Sequence, residues 1–180
     1  RKPFLLTVAS SLLKNPPGVV EAYSRLSGRL RENCDLVIVM AYGRAQAAVA
    51  ELTQRSGVAD HVHFLVALTP EKLLWLYNLA AALISPSFTE SFSLPTAKAM
   101  ACGTPVICSA TTGFPEQVGD AALLVEPTDI DQIAAAITEV FTKPSLATEL
   151  AVRGLARSKQ FSWEQTAHQT LAVYEAVAKR

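Results

Sequence analysis

The chain has 180 residues, half of them apolar, and its sixteen basic side chains are balanced by sixteen acidic ones. That length suits one domain or a large half of a two-domain protein, with enough apolar residues for a substantial core. Zero net charge leaves no global field to draw nucleic acid or an anionic membrane, so neither is expected as the principal partner.

Cys34, Cys102 and Cys108 show no zinc spacing. An odd count argues against a complete disulfide framework, so reduced core or near-core thiols in a cytosolic protein are expected. No charged-then-apolar leader opens the chain, and the best apolar run, Leu73 to Ile84, is too short to span a bilayer and contains Asn78. The first residue is Arg1 rather than methionine, from which a piece of a longer chain is expected.

In chain order, Phe4 to Ala9 reads as a first buried strand, followed after Pro16-Pro17 by a helix through about Arg31. Asp35 to Met40 is a second strand, and an alanine-rich helix from Ala45 to Arg55 leads to a third, Val62 to Leu65. Thr69-Pro70-Glu71 combines a capping threonine with proline at the first helical position, opening a helix to Leu79. Ala82 to Ser85 is a fourth strand, Pro105 to Ser109 a fifth and Ala122 to Val125 a sixth, the last following a loop over residues 113–120. Short apolar runs alternating with helices call for parallel strands and crossover helices, hence a doubly wound, Rossmann-like α/β sheet of about six strands. Residues 1–127 form this sheet unit. Residues 128–180 read as helices only: Asp129 to Phe141, Pro144 to about Lys159, and a last helix opened by the capping box Ser162-Trp163-Glu164-Gln165.

The segment from Ser85 to Ser109 organises the rest. A short strand enters the polar loop Ser87, Thr89, Glu90, Ser91, Ser93, and Leu94-Pro95 then starts a helix that stops at Gly103 with Pro105 beyond. Ser93 or Thr89 is positioned to cap that start. A strand, a loop and a helix N-terminus point backbone N–H groups outward and favour an anion. Lys98, one turn in, leans back toward the same mouth. This geometry suits a ligand with a phosphate and several hydroxyls. In a doubly wound sheet such ligands collect at the carboxyl ends of the strands.

Glu90-Ser91-Phe92-Ser93-Leu94-Pro95, followed by Lys98-Ala99-Met100-Ala101-Cys102-Gly103-Thr104-Pro105-Val106-Ile107, resembles the signature of glycosyltransferase family 4. These are retaining enzymes of the GT-B fold that use nucleotide sugars, with a pattern like E-G-F-G-L-P-x-x-E-A-M-A-C-G-x-P-V-I. The Pro115-Glu116-Gln117-Val118-Gly119-Asp120 run and the Phe161-Ser162-Trp163 triplet before the terminal helix are also similar to the family's. The resemblance covers nearly the whole chain and implies the C-terminal, donor-binding half of a GT-B enzyme. On this resemblance the N-terminal acceptor domain, onto which the last helix of such enzymes crosses, is expected to lie outside these 180 residues.

The resemblance also implies roles for individual residues. Glu90 matches the first family glutamate, beside the donor sugar and its phosphate, and is the expected catalytic residue. Lys14 matches a lysine that holds the diphosphate. The family's partnering arginine corresponds to about Ser10, which removes one bidentate phosphate clamp. Backbone N–H groups of Phe92 and Ser93, ahead of Leu94, are expected at the same site, and Val66-Ala67-Leu68 where the family's backbone meets the base. Lys98 replaces the second glutamate: a carboxylate accepts from both ribose hydroxyls, whereas an ammonium only donates. Lys98 is left to contact a phosphate or to pair with Glu90.

The implied function is transfer of a hexose from a UDP- or GDP-sugar to a glycan or lipid acceptor, the parent enzyme acting in the cytoplasm or peripherally at the inner membrane face. No metal or other cofactor is expected, the leaving diphosphate being stabilised by cations and helix dipoles. His61, His63 and His168 are not arranged with ligands. The alternative is a degenerate, non-catalytic relative kept for binding or assembly, which Lys98 and the missing arginine favour. A different doubly wound nucleotide binder is disfavoured, because no Gly-x-Gly-x-x-Gly or phosphate-loop lysine follows the first strand. Glu116 caps a helix or touches sugar, His63 reads as a packed or edge-strand histidine, and Trp75 and Trp163 are expected to bury surface between helices.

Overall fold

A computed structural model describes residues 2–178, so Arg1 and the final two residues of the helical part lie outside it. Six strands, β1 (Phe4–Ala9), β2 (Asp35–Met40), β3 (Val62–Leu65), β4 (Ala82–Ser85), β5 (Val106–Ser109) and β6 (Leu123–Val125), form one sheet. Every pairing is parallel and the order is β3-β2-β1-β4-β5-β6. The chain therefore winds outward in one direction from β1 and then in the other from β4. The carboxyl ends of β1 and β4 lie at this topological switch, the place where doubly wound sheets form their ligand crevice.

Both faces of the sheet are covered, as all-parallel strands require. The side-chain period of two divides the strand residues between two cores. Leu5, Leu36, Ile38, Ile84 and Ile107 belong to one; Leu6, Val37, Leu83, Val106 and Cys108 belong to the other. The first face is covered by α1 (Pro16–Ser24), α3 (Arg44–Arg55) and α7 (Ile130–Thr142), which supply Val19, Val49 and Ile133. The second is covered by α4 (Pro70–Leu79), α5 (Leu94–Ala101) and α6 (Phe114–Val118), which supply Tyr77, Met100 and Phe114. α8 (Pro144–Ser158) serves both: Leu150 joins the first core, while a side chain added at Gly154 would stand 3.4 Å from the Met100 backbone. The thiols of Cys34 and Cys108 are fully buried and all three cysteines are free.

Three expectations are corrected. The helix predicted to run through Arg31 is two, α1 and α2 (Gly28–Asn33). Ser27 caps the second, accepting from Leu30 N–H at 3.3 Å, and the Arg31 guanidinium turns back to the freed carbonyls of Ser24 and Leu26. The loop over 113–120 holds α6. Trp75 and Trp163 do not bury surface between helices: they are 63% and 79% exposed, and every described residue of α9 (Trp163–Ala178) faces solvent. α9 nevertheless opens as its capping serine requires, Ser162 Oγ accepting from Gln165 N–H at 3.0 Å. Among the described residues no helix is long and apolar enough to cross a membrane.

Candidate functional site

At the switch point two loops meet. After β1 the chain makes a 3-10 turn over Leu12–Lys14, closed by Asn15, which adopts the left-handed conformation (φ 55°) that asparagine tolerates better than most side chains. Asn15 Oδ1 accepts from Gly18 N–H at 3.1 Å to start α1, and its Nδ2 donates to Pro127 O at 2.7 Å, tying the turn to the loop after β6. Lys14 is thereby aimed across the crevice. The loop after β4 approaches from the other side, and Phe88 N–H donates to Leu13 O at 2.9 Å to stitch the two together.

Lys14 Nζ and a carboxylate oxygen of Glu90 form an ion pair over this stitch. The Glu90 side chain is 11% exposed and that of Lys14 23%, so the pair is screened much less than a surface one. Ser87 Oγ lies 3.5 Å from the same carboxylate oxygen, and Ser109 Oγ at the end of β5 donates to Ser87 O at 2.5 Å. The result is one cation, one carboxylate and a hydroxyl at the mouth of α5.

Ser93 caps α5, its Oγ accepting from Thr96 N–H at 3.4 Å; of the two capping candidates, Ser93 rather than Thr89 serves. The expected free N–H of Ser93 is corrected, because it donates to Gln117 Oε1 at 2.8 Å and is not available to a ligand. Phe92 stays half-exposed with its ring edge-on to Phe161, and Leu94 is exposed beside it. Lys98 is exposed and has no ion-pair or hydrogen-bond partner among the described residues; Glu90 is paired with Lys14 instead. Ser10 is exposed at the end of β1. Val66 and Ala67 follow β3, three strand spacings from β4 or about 14 Å. They therefore flank the site rather than join the Lys14–Glu90 pair.

Among the described residues, the three non-glycine residues with positive φ are Asn15, Ala67 and Thr112. They sit in the loops leaving the carboxyl ends of β1, β3 and β5. A left-handed alanine costs roughly 1–2 kcal/mol, a strain that clusters at ligand-holding loops. Exposed apolar side chains gather at the same end: Leu12, Leu13, Tyr42 and Phe88.

At the opposite, amino-terminal end of the sheet, Asp35 accepts from Lys2 at 2.5 Å and lies 3.4 Å from His61 Nδ1 and 3.1 Å from His63 Nε2. His63 is thus an edge-strand histidine in an ion cluster remote from the crevice. Among the described residues no group of three or more His, Cys, Asp or Glu side chains is placed to hold a metal ion.

The residues that sequence reasoning missed are Thr112, Gly113 and Gln117. Their hydrogen bonds hold Glu90 and Ser93, and a spacing of 22 to 24 residues gives no local pattern to find them by.

A family model described as Glycosyl transferases group 1 matches residues 1–156. O-antigen chain mannosyltransferase B of Escherichia coli is 37% identical over 162 residues, which make up 90% of this chain and 42% of that protein. MMP alpha-(1->4)-mannosyltransferase of Mycolicibacterium hassiacum is 35% identical over 175 residues, 93% of this chain and 41% of that protein. The solved structure of sucrose-phosphate synthase from Thermosynechococcus elongatus superposes with a TM-score of 0.89 at 29% identity, covering 99% of this chain and 46% of that one. The chain thus spans less than half the length of each.

Proposed function

This chain belongs to the glycosyl transferases group 1 family, and from that premise we propose that it is the nucleotide-sugar-binding half of a retaining hexosyltransferase of the GT-B type. The observation that carries the proposal is the meeting of Lys14 and Glu90 in the crevice between β1 and β4, beside the start of α5. A nucleoside diphosphate sugar needs a cation for its diphosphate, polar groups at the sugar rim and a surface for its base. Lys14 supplies the first. Glu90, with Ser87 behind it, faces the sugar and its phosphate and accepts from sugar hydroxyls. The Val66–Ala67 turn receives the base. When the donor enters, its phosphate takes Lys14 away from Glu90, so one ion pair is exchanged for another and the freed carboxylate turns to the sugar.

The leaving diphosphate is stabilised by Lys14 and the α5 end as charge develops, with no metal or other cofactor, and the acceptor attacks the face the leaving group departs from. The apolar rim of Leu12, Leu13 and Phe88 faces the acceptor-binding half of the parent enzyme. The acceptor is a glycan or lipid, and the full protein works in the cytoplasm, peripherally at the membrane where the acceptor is lipid-linked. Alone, the chain binds donor and transfers nothing. The donor is a UDP- or GDP-sugar, and because two relatives bear the name mannosyltransferase, a GDP-linked mannose is the first to test.

Two features favour a non-catalytic binding domain instead: the charge of Lys14 is already answered by Glu90, and Ser10 brings no second cation. Incubating the full-length protein with UDP- and GDP-hexoses and mannosylated acceptors, and following the products by NMR, separates the readings. Release of nucleoside diphosphate with the donor's anomeric configuration kept in the product supports the proposal. Inverted product contradicts it, and donor binding without any transfer points to the binding domain.

A further inference from the structure

The loop carrying Glu90 is held from outside, at both ends, by α6 and the turn before it. At one end Glu90 N–H donates to Thr112 Oγ1 at 3.0 Å, and Glu90 C=O accepts from Gly113 N–H at 2.9 Å. At the other end stands Gln117, 3% exposed. Its Oε1 accepts from Ser93 N–H at 2.8 Å and its Nε2 donates to Ser93 C=O at 2.9 Å, so both halves of one buried amide are spent on a single backbone residue. α6 is itself pinned from α8: Arg157 Nε donates to Gln117 O at 2.9 Å, and the same guanidinium reaches Glu116 O at 2.5 Å.

We infer that Gln117 is a positioning residue for the donor loop. It touches no donor, yet it sets where the first turn of α5 stands relative to Glu90. The inference rests on the crevice between β1 and β4 being the donor site. Only Ser91 and Phe92 separate the two anchors, so the segment has almost no slack. If the amide is removed, the buried N–H of Ser93 loses its partner, and its C=O is left with the bond from Ala97 N–H at 3.0 Å that starts α5. A buried N–H in that state moves toward water rather than stay unpaired. The Ser91–Ser93 segment and the first turn of α5 then shift against Glu90, whose own backbone stays bonded to Thr112 and Gly113. The α5 start and the carboxylate no longer line up on one sugar, while the Val66–Ala67 turn across the sheet does not move.

That asymmetry supplies the test. In the full-length protein, Gln117→Met keeps the unbranched volume and removes both bonds, and Gln117→Glu keeps the acceptor for Ser93 N–H while losing the donor to Ser93 C=O. Two probes are titrated into each variant: a nucleotide hexose, which reaches Glu90, and its nucleoside monophosphate, which does not. The expected result for Gln117→Met is a loss of about tenfold or more in affinity for the nucleotide hexose, with the monophosphate within about twofold of wild type. Gln117→Glu falls between, and it carries the same comparison if the methionine variant does not fold. Unchanged affinity for both probes overturns the inference. So does an equal loss for both, which is what a merely destabilised fold produces. A wild-type protein that binds neither probe overturns the donor site itself, and the inference with it.

Discussion

Lys98 carries a charge that no side chain among the described residues answers. It lies on the exposed side of α5, one turn beyond the cap at Ser93, with no partner among the described residues, and it takes the place where the family resemblance expects a carboxylate. A carboxylate there would accept from two ribose hydroxyls, and one such charged hydrogen bond is worth about 1.5–3 kcal/mol. The Lys98→Glu variant is therefore expected to bind a nucleotide hexose about tenfold or more tightly than wild type, as calorimetry would measure. Equal or weaker binding would mean that Lys98 itself contacts the donor, through a phosphate. A second residue-scale expectation concerns pH. Burial pushes the Asp35 carboxyl up, but hydrogen bonds from Lys2, His63 and His61 and the nearby Lys2 charge outweigh it and hold the carboxyl below its ordinary value. A group depressed on folding contributes stability above its unfolded pKa, and that contribution is lost as pH falls through the folded one. Asp35→Asn should thus lower the denaturant midpoint at neutral pH, with the gap to wild type closing below about pH 4. A gap that stays constant down to pH 2 would show that the Asp35 charge contributes nothing.

Among the elements, α6 matters most for the site although it is only five residues long. It braces the Glu90 loop by close backbone approach: a Cβ at Gly113 would stand 2.3 Å from Ser91 O and 2.9 Å from Glu90 O. Its φ of −81° suits any residue, so what excludes a side chain there is space. Gly113→Ala is expected to displace the loop and lower donor affinity about tenfold, with modest loss of stability, since the turn can move outward into solvent. Unaltered affinity would show that the loop tolerates the shift. α6 also marks the limit of what local pattern reveals. The six strands were legible because buried parallel strands are short apolar runs with few other interpretations, and α4 and α5 because Thr69, Ser93 and the prolines that follow mark their starts. α6 was not legible. Its pattern is one turn long, and its last carbonyls are satisfied by Arg157, 40 and 41 residues away. The break between α1 and α2 was hidden for a similar reason, since Arg31 reaches back to carbonyls that an unbroken helix would have used.

At the scale of the whole molecule, winding order turns a local motif into a site. Lys14 and Glu90 are 76 residues apart, and each alone reads as a loop charge. They meet because β1 and β4 are adjacent and the chain turns opposite ways from them. The exposure of Trp163, Leu171, Tyr174 and Val177 on α9 was beyond prediction by periodicity, which reveals an apolar stripe but not what covers it. Donor binding at this site exchanges the Lys14–Glu90 pair for contacts with the sugar nucleotide. The most direct measurement is calorimetric titration of the full-length protein, its Lys14→Met variant and its Glu90→Gln variant with GDP-mannose and UDP-hexoses. At least one donor should bind wild type, and both variants should bind it about ten- to a hundredfold more weakly, the loss of one charge-assisted contact each. A donor that binds all three proteins with the same affinity would place the sugar nucleotide elsewhere and contradict the account.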